Sequence, residues 1–260
     1  MKIFFCGQRS FGSAVLEELL RRGHEIVGVS PAPRSEKKDK VEITAIRKRL
    51  PVISDGDRLS FEDIPDGTDL IVAAHAHWII SERALAQARL GGIGFHPSLL
   101  PLHRGRDAVR WAAHMGDKVT GGSVYWLTDN CDGGDIIDQR PVFIIPGETY
   151  HDLWNRIFPV GVQMLCDAVD SIQAGTAKAY PQDERCATWE PSFDRPRLKR
   201  NDLYRLTAFV SNRIRCVECE HYAKDDDGYL CLCSLKTKEK GYKVYVDDND
   251  ACSSGERKRG

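Results

Sequence analysis

The sequence has no apolar run long enough to cross a membrane. Its best candidate, Leu70–Ile80, is interrupted by His75 and His77 and falls short of the roughly 18 residues a spanning helix needs. It also lacks the opening of a secretory leader, because the short apolar Ile3–Cys6 runs straight into a polar turn; a cytoplasmic location is the expectation. An excess of charge of either sign is missing too. Thirty-seven Lys and Arg stand against 38 Asp and Glu, a formal charge of −1, so the chain as a whole makes no electrostatic case for nucleic acid. There is no internal repeat or low-complexity tract. A composition 42% hydrophobic and 29% charged excludes a wholly disordered chain, a collagen-like fibre and a coiled coil. The first turn, Gly7-Gln-Arg-Ser-Phe-Gly12, has neither the G-x-G-x-x-G spacing nor the Gly-Lys-Ser/Thr ending of a phosphate loop, and nothing argues for NAD or ATP. It reads as a tight strand-to-helix turn, on whose helix N-terminus the anionic end of a ligand can still rest.

What the chain does not lack is cysteine. Of nine, Cys6, Cys131, Cys166 and Cys186 are scattered, while Cys216, Cys219, Cys231, Cys233 and Cys252 crowd the last 45 residues. In a reducing compartment disulfides are not expected, and the scattered thiols read as ordinary free, buried ones. The crowding divides the chain into residues 1–190, a Pro- and Arg-rich linker or wrapping arm at 191–210, and a Cys-rich module at 211–260.

Within residues 1–190 strands alternate with helices. Lys2–Cys6, Glu25–Val29, Pro51–Ser54, Leu70–Ala74, Gly92–Phe95, Gly121–Thr128 and Ile136–Ile145 read as strands. Phe11–Arg22, Val41–Leu50, Ser81–Arg89, Ala108–Met115 and Glu148–Ala174 read as helices, with Ser81 and Asp107 as N-caps and a break expected near Pro159. This is the pattern of an α/β fold, a Rossmann-like and mostly parallel sheet.

One stretch carries chemistry: Gly92-Ile-Gly-Phe-His-Pro-Ser-Leu-Leu-Pro-Leu-His-Arg-Gly-Arg-Asp107. A strand delivers His96 to its C-terminal end, where open α/β sheets bind ligands. Pro97 and Pro101 stiffen the following loop, and Arg104-Gly105-Arg106 adds cations. An acidic, glycine-rich loop, Asp129-Asn-Cys-Asp-Gly-Gly-Asp135, follows. A carboxylate from it can fix the imidazole tautomer of His96 and stabilise its charged form. His103 reads as a solvated loop residue at least as readily as a substrate contact, and His114 as structural.

His96-Pro-Ser-Leu-Leu-Pro101, Arg104-Gly105, Trp111, Gly116-Asp117, Thr120-Gly121 and Asp132-Gly-Gly-Asp135-Ile resemble the motifs of the folate-dependent formyltransferase family. That family includes the methionyl-tRNA, glycinamide-ribonucleotide and sugar-amine formyltransferases. The likeness covers roughly residues 1–190 and implies formyl transfer from 10-formyltetrahydrofolate to a primary amine. Members use an Asn, a His two residues later and an Asp from the next acidic loop; His96 and Asp135 match the last two as the implied catalytic pair. The resemblance further implies that His77, Trp78, Ile79 and Ile80 and the loop with Thr128, Asp129, Asp132, Gly133 and Gly134 hold the pterin. It places Ser98, Leu99, Leu100 and Arg104 beside the formyl and amine side. The position of the family Asn is Gly94, which has no side-chain donor for a developing oxyanion, and losing one such donor costs about 3–4 kcal/mol. The chain is therefore read as a formyltransferase with a remodelled oxyanion site. The alternatives are a catalytically altered folate-binding or docking protein, and an enzyme that modifies an amine on tRNA or DNA. The likeness stops where tRNA-specific relatives keep a larger second domain, so a small amine, such as an amino-sugar nucleotide, is favoured over nucleic acid.

The tail runs Cys216-x-x-Cys219, then Cys231-x-Cys233, then Cys252. Cys-x-x-Cys turns point two thiolates at one ion, and the expected set is Cys216, Cys219, Cys233 and Cys252, with Cys231 as the substitute for Cys233. Zinc is the expected metal and an iron–sulfur cluster the alternative. A segment this short and polar needs such a staple to fold.

Overall fold

A computed structural model of the chain describes residues 1–33, 38–53, 59–77 and 79–193, together with five short strands beyond them. By the grouping of its contacts the chain forms two units. The first comprises Met1–Arg104 and Ala108–Asp183; the second comprises Gly105–Asp107 and Glu184–Gly260.

The first unit is built on six strands: β1 (Lys2–Gly7), β2 (Glu25–Ser30), β3 (Leu70–Ala74), β4 (Gly92–His96), β5 (Val119–Trp126) and β6 (Ile136–Phe143). They lie in the order β2-β1-β3-β4-β5-β6. The first four are parallel, and β5 and β6 join antiparallel at one side. The α/β, mostly parallel expectation holds. The reason is visible residue by residue. Along β1, Ile3 and Phe5 enter one core while Phe4 and Cys6 enter the other, and β3 divides Leu70, Val72 and Ala74 from Ile71 and Ala73 in the same way. Side chains that alternate between two buried faces make a continuous apolar strand the only workable sequence there.

Five helices complete the unit: α1 (Arg9–Arg21), α2 (Lys40–Arg47), α3 (Glu82–Leu85), α4 (Ala108–Met115) and α5 (Tyr150–Gln173). α5 begins at a capping box in which Thr149 and Asp152 satisfy each other's backbone N–H. It is continuous through Pro159, where a break was expected. A proline inside a helix costs about 3 kcal/mol. Here Leu153, Ile157, Met164, Leu165 and Val169 are fully buried on the same helix, and at about 1.5–3 kcal/mol for each such side chain their packing outweighs the loss. α3 is shorter than the spacing suggested, although Ser81 caps it at Ala84 N as expected (3.2 Å). Of the strand expected at Pro51–Ser54, the described part is a single bridge, Val29 to Val52.

In the second unit, β7 (Ile214–Arg215) pairs with β11 (Ala251–Cys252), and β9 (Cys231–Cys233) lies between β8 (Tyr222–Lys224) and β10 (Tyr245–Val246). Cys216 and Cys219 lie outside the described residues, as do the side chains of Cys231, Cys233 and Cys252, and so does the expected linker from residue 194 onward. Among the described residues no cluster of three or more His, Cys, Asp or Glu is arranged to hold a metal ion, and no helix is long and apolar enough to cross a membrane.

Candidate active site

β4 sets the site by its register. Ile93 and Phe95 face the core built on α1 and α5, where the Phe95 ring stacks on Phe11 at 5.0 Å between centroids. Because side chains alternate, Gly92, Gly94 and His96 are turned to the opposite face. A Cβ on Gly92 would stand 2.7 Å from the Leu85 side chain of α3, which is why the strand carries glycine there.

His96, only 5% exposed, closes the strand. Its Nε2 lies 2.7 Å from the backbone oxygen of His103. A carbonyl can only accept, so Nε2 carries the hydrogen and donates it. Nδ1 is then the nitrogen left to exchange a proton, and it faces Asp132 Oδ2 at 3.6 Å. That separation is longer than a direct hydrogen bond and suits one bridging water or a small movement. The His103 carbonyl is itself fixed: the His103 ring is buried and its Nε2 is 2.7 Å from Asp117 Oδ2. The solvated loop histidine expected at 103 is instead a buried tie that aims a carbonyl at His96.

The carboxylate partner is Asp132, not the expected Asp135. Asp135 is exposed, and its backbone carbonyl accepts from Trp126 N at 2.9 Å. The two aspartates are three residues apart in a turn, and only the turn's geometry selects between them. Asp132 has φ +54°, in the left-handed region where Asp is tolerated. Gly134 follows, where a Cβ would stand 1.8 Å from the Trp126 carbonyl oxygen. Tyr125 Oη donates to Asp132 Oδ1 at 2.6 Å, and the Cys131 thiol lies 3.6 Å from Oδ2. On the far side of the loop, Gln182 Nε2 donates to the carbonyls of Asp132 (2.8 Å) and Gly134 (2.7 Å), and the buried Arg104 guanidinium donates to Gln182 Oε1 at 2.7 Å. Arg104 therefore stiffens the acidic loop through Gln182.

Several other expected residues are placed differently. Ser98 is fully buried and donates to Leu102 O at 2.6 Å; Ser123 Oγ donates to Ser98 O at 2.7 Å and accepts from Leu100 N at 3.0 Å. These bonds make the 98–102 turn rigid and leave the Ser98 hydroxyl and the buried Leu100 inside it; Leu99 is half-buried. Thr128, Asp129 and His77 are exposed, Ile79 is 66% exposed and Ile80 is buried; Trp78 lies outside the described residues. Thr128 Oγ1 accepts from Asn130 N at 3.2 Å, a local turn, and Gly133 N donates to Asn130 O at 3.1 Å. At the N-terminus of α1 the expected room for an anionic ligand is filled by this chain's own Asp39, whose carboxylate accepts from Arg9 N at 2.9 and 3.0 Å. Asp107 turns its carboxylate to Phe193 N at 2.9 Å.

Sequence reasoning missed Tyr125, Gln182 and the part played by the His103 carbonyl. Tyr125 was findable only from the strand pairing, which sets it opposite Gly94. Gln182 and the carbonyl have no motif.

Comparison with known proteins bears on the family and the fold. A family model described as Formyl transferase matches residues 62–169. The chain is 36% identical over 201 residues to the human cytosolic 10-formyltetrahydrofolate dehydrogenase, a match that spans 73% of this chain and 22% of that protein. It is 29% identical over 229 residues to the methionyl-tRNA formyltransferase of Thermotoga sp. (strain RQ2), spanning 84% of this chain and 73% of the relative. Among solved structures, glycinamide ribonucleotide transformylase 1 from Symbiobacterium toebii superposes with a TM-score of 0.60 at 22% identity, covering 70% of this chain and 94% of its own. A sugar 3N-formyl transferase, solved in the presence of dTDP and 5-N-formyl-THF, gives 0.62 at 13% identity and covers 96% of both chains. At these identities the structural likeness speaks for the fold.

Proposed function

The chain belongs to the formyltransferase superfamily, and on that premise we propose that it transfers a formyl group from 10-formyltetrahydrofolate to a primary amine. The observation that carries the reading is the state of His96: buried, its Nε2 tied to a backbone carbonyl and its Nδ1 turned to the Asp132 carboxylate. In this reading the amine nitrogen attacks the formyl carbon and the carbonyl oxygen takes the negative charge. The carbon–N10 bond then breaks as N10 receives a proton from His96 Nδ1. Asp132 balances the charge on the imidazolium and, through water, accepts the proton lost by the amine. The residues of the loop at 128–134 and the segment at 77–80 are proposed to border the folate.

A small amine, such as an amino-sugar nucleotide, is the proposed acceptor. Its support is that a sugar 3N-formyl transferase superposes over 96% of this chain. For the tail itself we propose a zinc-stabilised module held by four of its five cysteines, on spacing alone.

The test is release of tetrahydrofolate from 10-formyltetrahydrofolate with dTDP-3-aminofucose at the head of a panel of primary amines. Release that depends on the amine, and that falls about 100- to 10,000-fold in His96→Ala, is the expected result. Wild-type turnover by that variant refutes the reading.

A further inference from the structure

The chemistry above leaves one buried hydroxyl at the site without a role. Tyr125 on β5 lies directly across from Gly94 on β4, so their side-chain positions share one face of the sheet, the face that also carries His96. A Cβ on Gly94 would stand 3.4 Å from both Cε1 and Cζ of the Tyr125 ring. The hydroxyl end of the ring, rather than its root, therefore lies over the bare backbone of Gly94. From there Oη reaches Asp132 Oδ1 at 2.6 Å, while Oδ2 of the same carboxylate faces His96 Nδ1 at 3.6 Å. We propose that Tyr125 is a positioning residue of the formyl-transfer site: its hydroxyl, reaching across the bare backbone of Gly94, anchors one oxygen of Asp132 so that the other faces His96.

Three features support this. Burial first, and the Asp132 charge second, hold the Tyr125 phenol well above its ordinary ionisation range, so at working pH it is a donor. The 2.6 Å separation is that of a hydrogen bond to a charged acceptor. Asp132 sits in a turn rather than on a strand, so its side-chain torsion needs a second tether if the carboxylate is to hold one orientation. Tyr125 supplies that tether from a strand position paired on both sides, with Gly94 and with Ile136. The inference rests on the formyl-transfer reading.

Tyr125→Phe keeps the ring and removes only the hydroxyl. With full-length protein in excess over 10-formyltetrahydrofolate and the most active amine of the panel above as acceptor, the rate of tetrahydrofolate release is expected to fall on the order of 10- to 100-fold. Affinity for 5-formyltetrahydrofolate is expected to stay at the wild-type value. If the hydroxyl acts through the carboxylate, Asp132→Asn and the double variant release tetrahydrofolate at the same rate. A folate-independent signature accompanies this. With tyrosine labelled at 13Cζ, the resonance lost in Tyr125→Phe is expected to move in Asp132→Asn. An unmoved resonance, additive rate losses, or wild-type release by Tyr125→Phe each overturn the role while leaving the formyl-transfer reading standing. A wild-type chain that neither binds 5-formyltetrahydrofolate nor releases tetrahydrofolate overturns that reading, and this role falls with it.

Discussion

Gly94 decides how the site is assembled. At first sight it is a loss, a position with no side chain where an amide would help an oxyanion. The structure gives it another sense, because the space above it is filled by the hydroxyl end of Tyr125. Gly94→Asn is therefore expected to harm rather than help. Its Cβ would press on Leu127 Cδ2 at 3.0 Å and touch the Tyr125 ring at 3.4 Å, so the amide beyond that Cβ competes with both side chains for the space that leads to Asp132. Overfilling of this kind typically costs about 1–3 kcal/mol, and thermal unfolding of Gly94→Asn beside wild type measures it. Unchanged stability together with faster tetrahydrofolate release would show that Tyr125 does not depend on the bare backbone of Gly94. The thiols differ as sharply in reactivity. Burial pushes the Cys6 thiol far up and Cys166 to about 12, whereas Cys186 is exposed. Among these three, iodoacetamide is expected to label Cys186 in the native chain and Cys6 and Cys166 only after unfolding, as peptide mapping by mass spectrometry would report.

Two helices depend on charge at their ends. α1 is tied to α5 by a cluster in which Arg22 meets Glu18 (2.8 Å), Asp167 (3.0 Å) and Asp170 (2.6 Å). Hydrogen bonds from Arg21 and Arg22 lower the Glu18 carboxyl to about 2. A carboxylate whose folded pKa is depressed stabilises the fold above its unfolded value, near 4.5, and that contribution is lost as pH falls from there toward 2. Glu18→Gln is expected to melt below wild type at pH 6, with the difference closing by pH 2.5 in thermal scans. A constant difference would assign the effect to packing. At the other end of α1, Asp39 joins α2 to the first turn, so Asp39→Ala is expected to lower stability by about 1–2 kcal/mol in urea denaturation.

For the whole molecule, a sheet buried on two sides holds rigid the strand ends that carry His96 and Tyr125, and the rest of the proposed site lies on the loops that leave them. The loops are held by bonds among themselves: Ser98, Ser123 and Gln139 brace one, and Gln182 with Arg104 braces the other. The tail is a different physical object, polar and rich in thiol. Elemental analysis of the purified full chain is expected to find about one zinc per molecule, and chelation is expected to lower its melting temperature. Metal-free protein of unchanged stability would refute the zinc module.

The fold was legible because its determinants are local. Alternation of Ile3, Phe4, Phe5 and Cys6 between two cores, the apolar Leu70–Ala74, the stop at Gly23 and the cap at Ser81 are all properties of neighbouring residues. The continuity of α5 through Pro159 was not legible, since local propensity argued for a break and burial elsewhere on the helix overruled it. In the site, His96 could be found from its strand end and motif. The choice of Asp132 over Asp135 could not, because it depends on a left-handed turn and on which carboxylate a neighbouring strand can reach. By itself, then, the sequence determined an α/β sheet, a histidine at the end of the strand that begins at Gly92 and an acidic loop to meet it. Only the tertiary structure decided which aspartate meets that histidine, which imidazole nitrogen is free to move a proton, and what fills the space above Gly94. The first and third are settled by approaches between residues distant in the chain, which exist only once β4 and β5 have paired, and the second by the turn after β4, which brings the His103 carbonyl back onto His96.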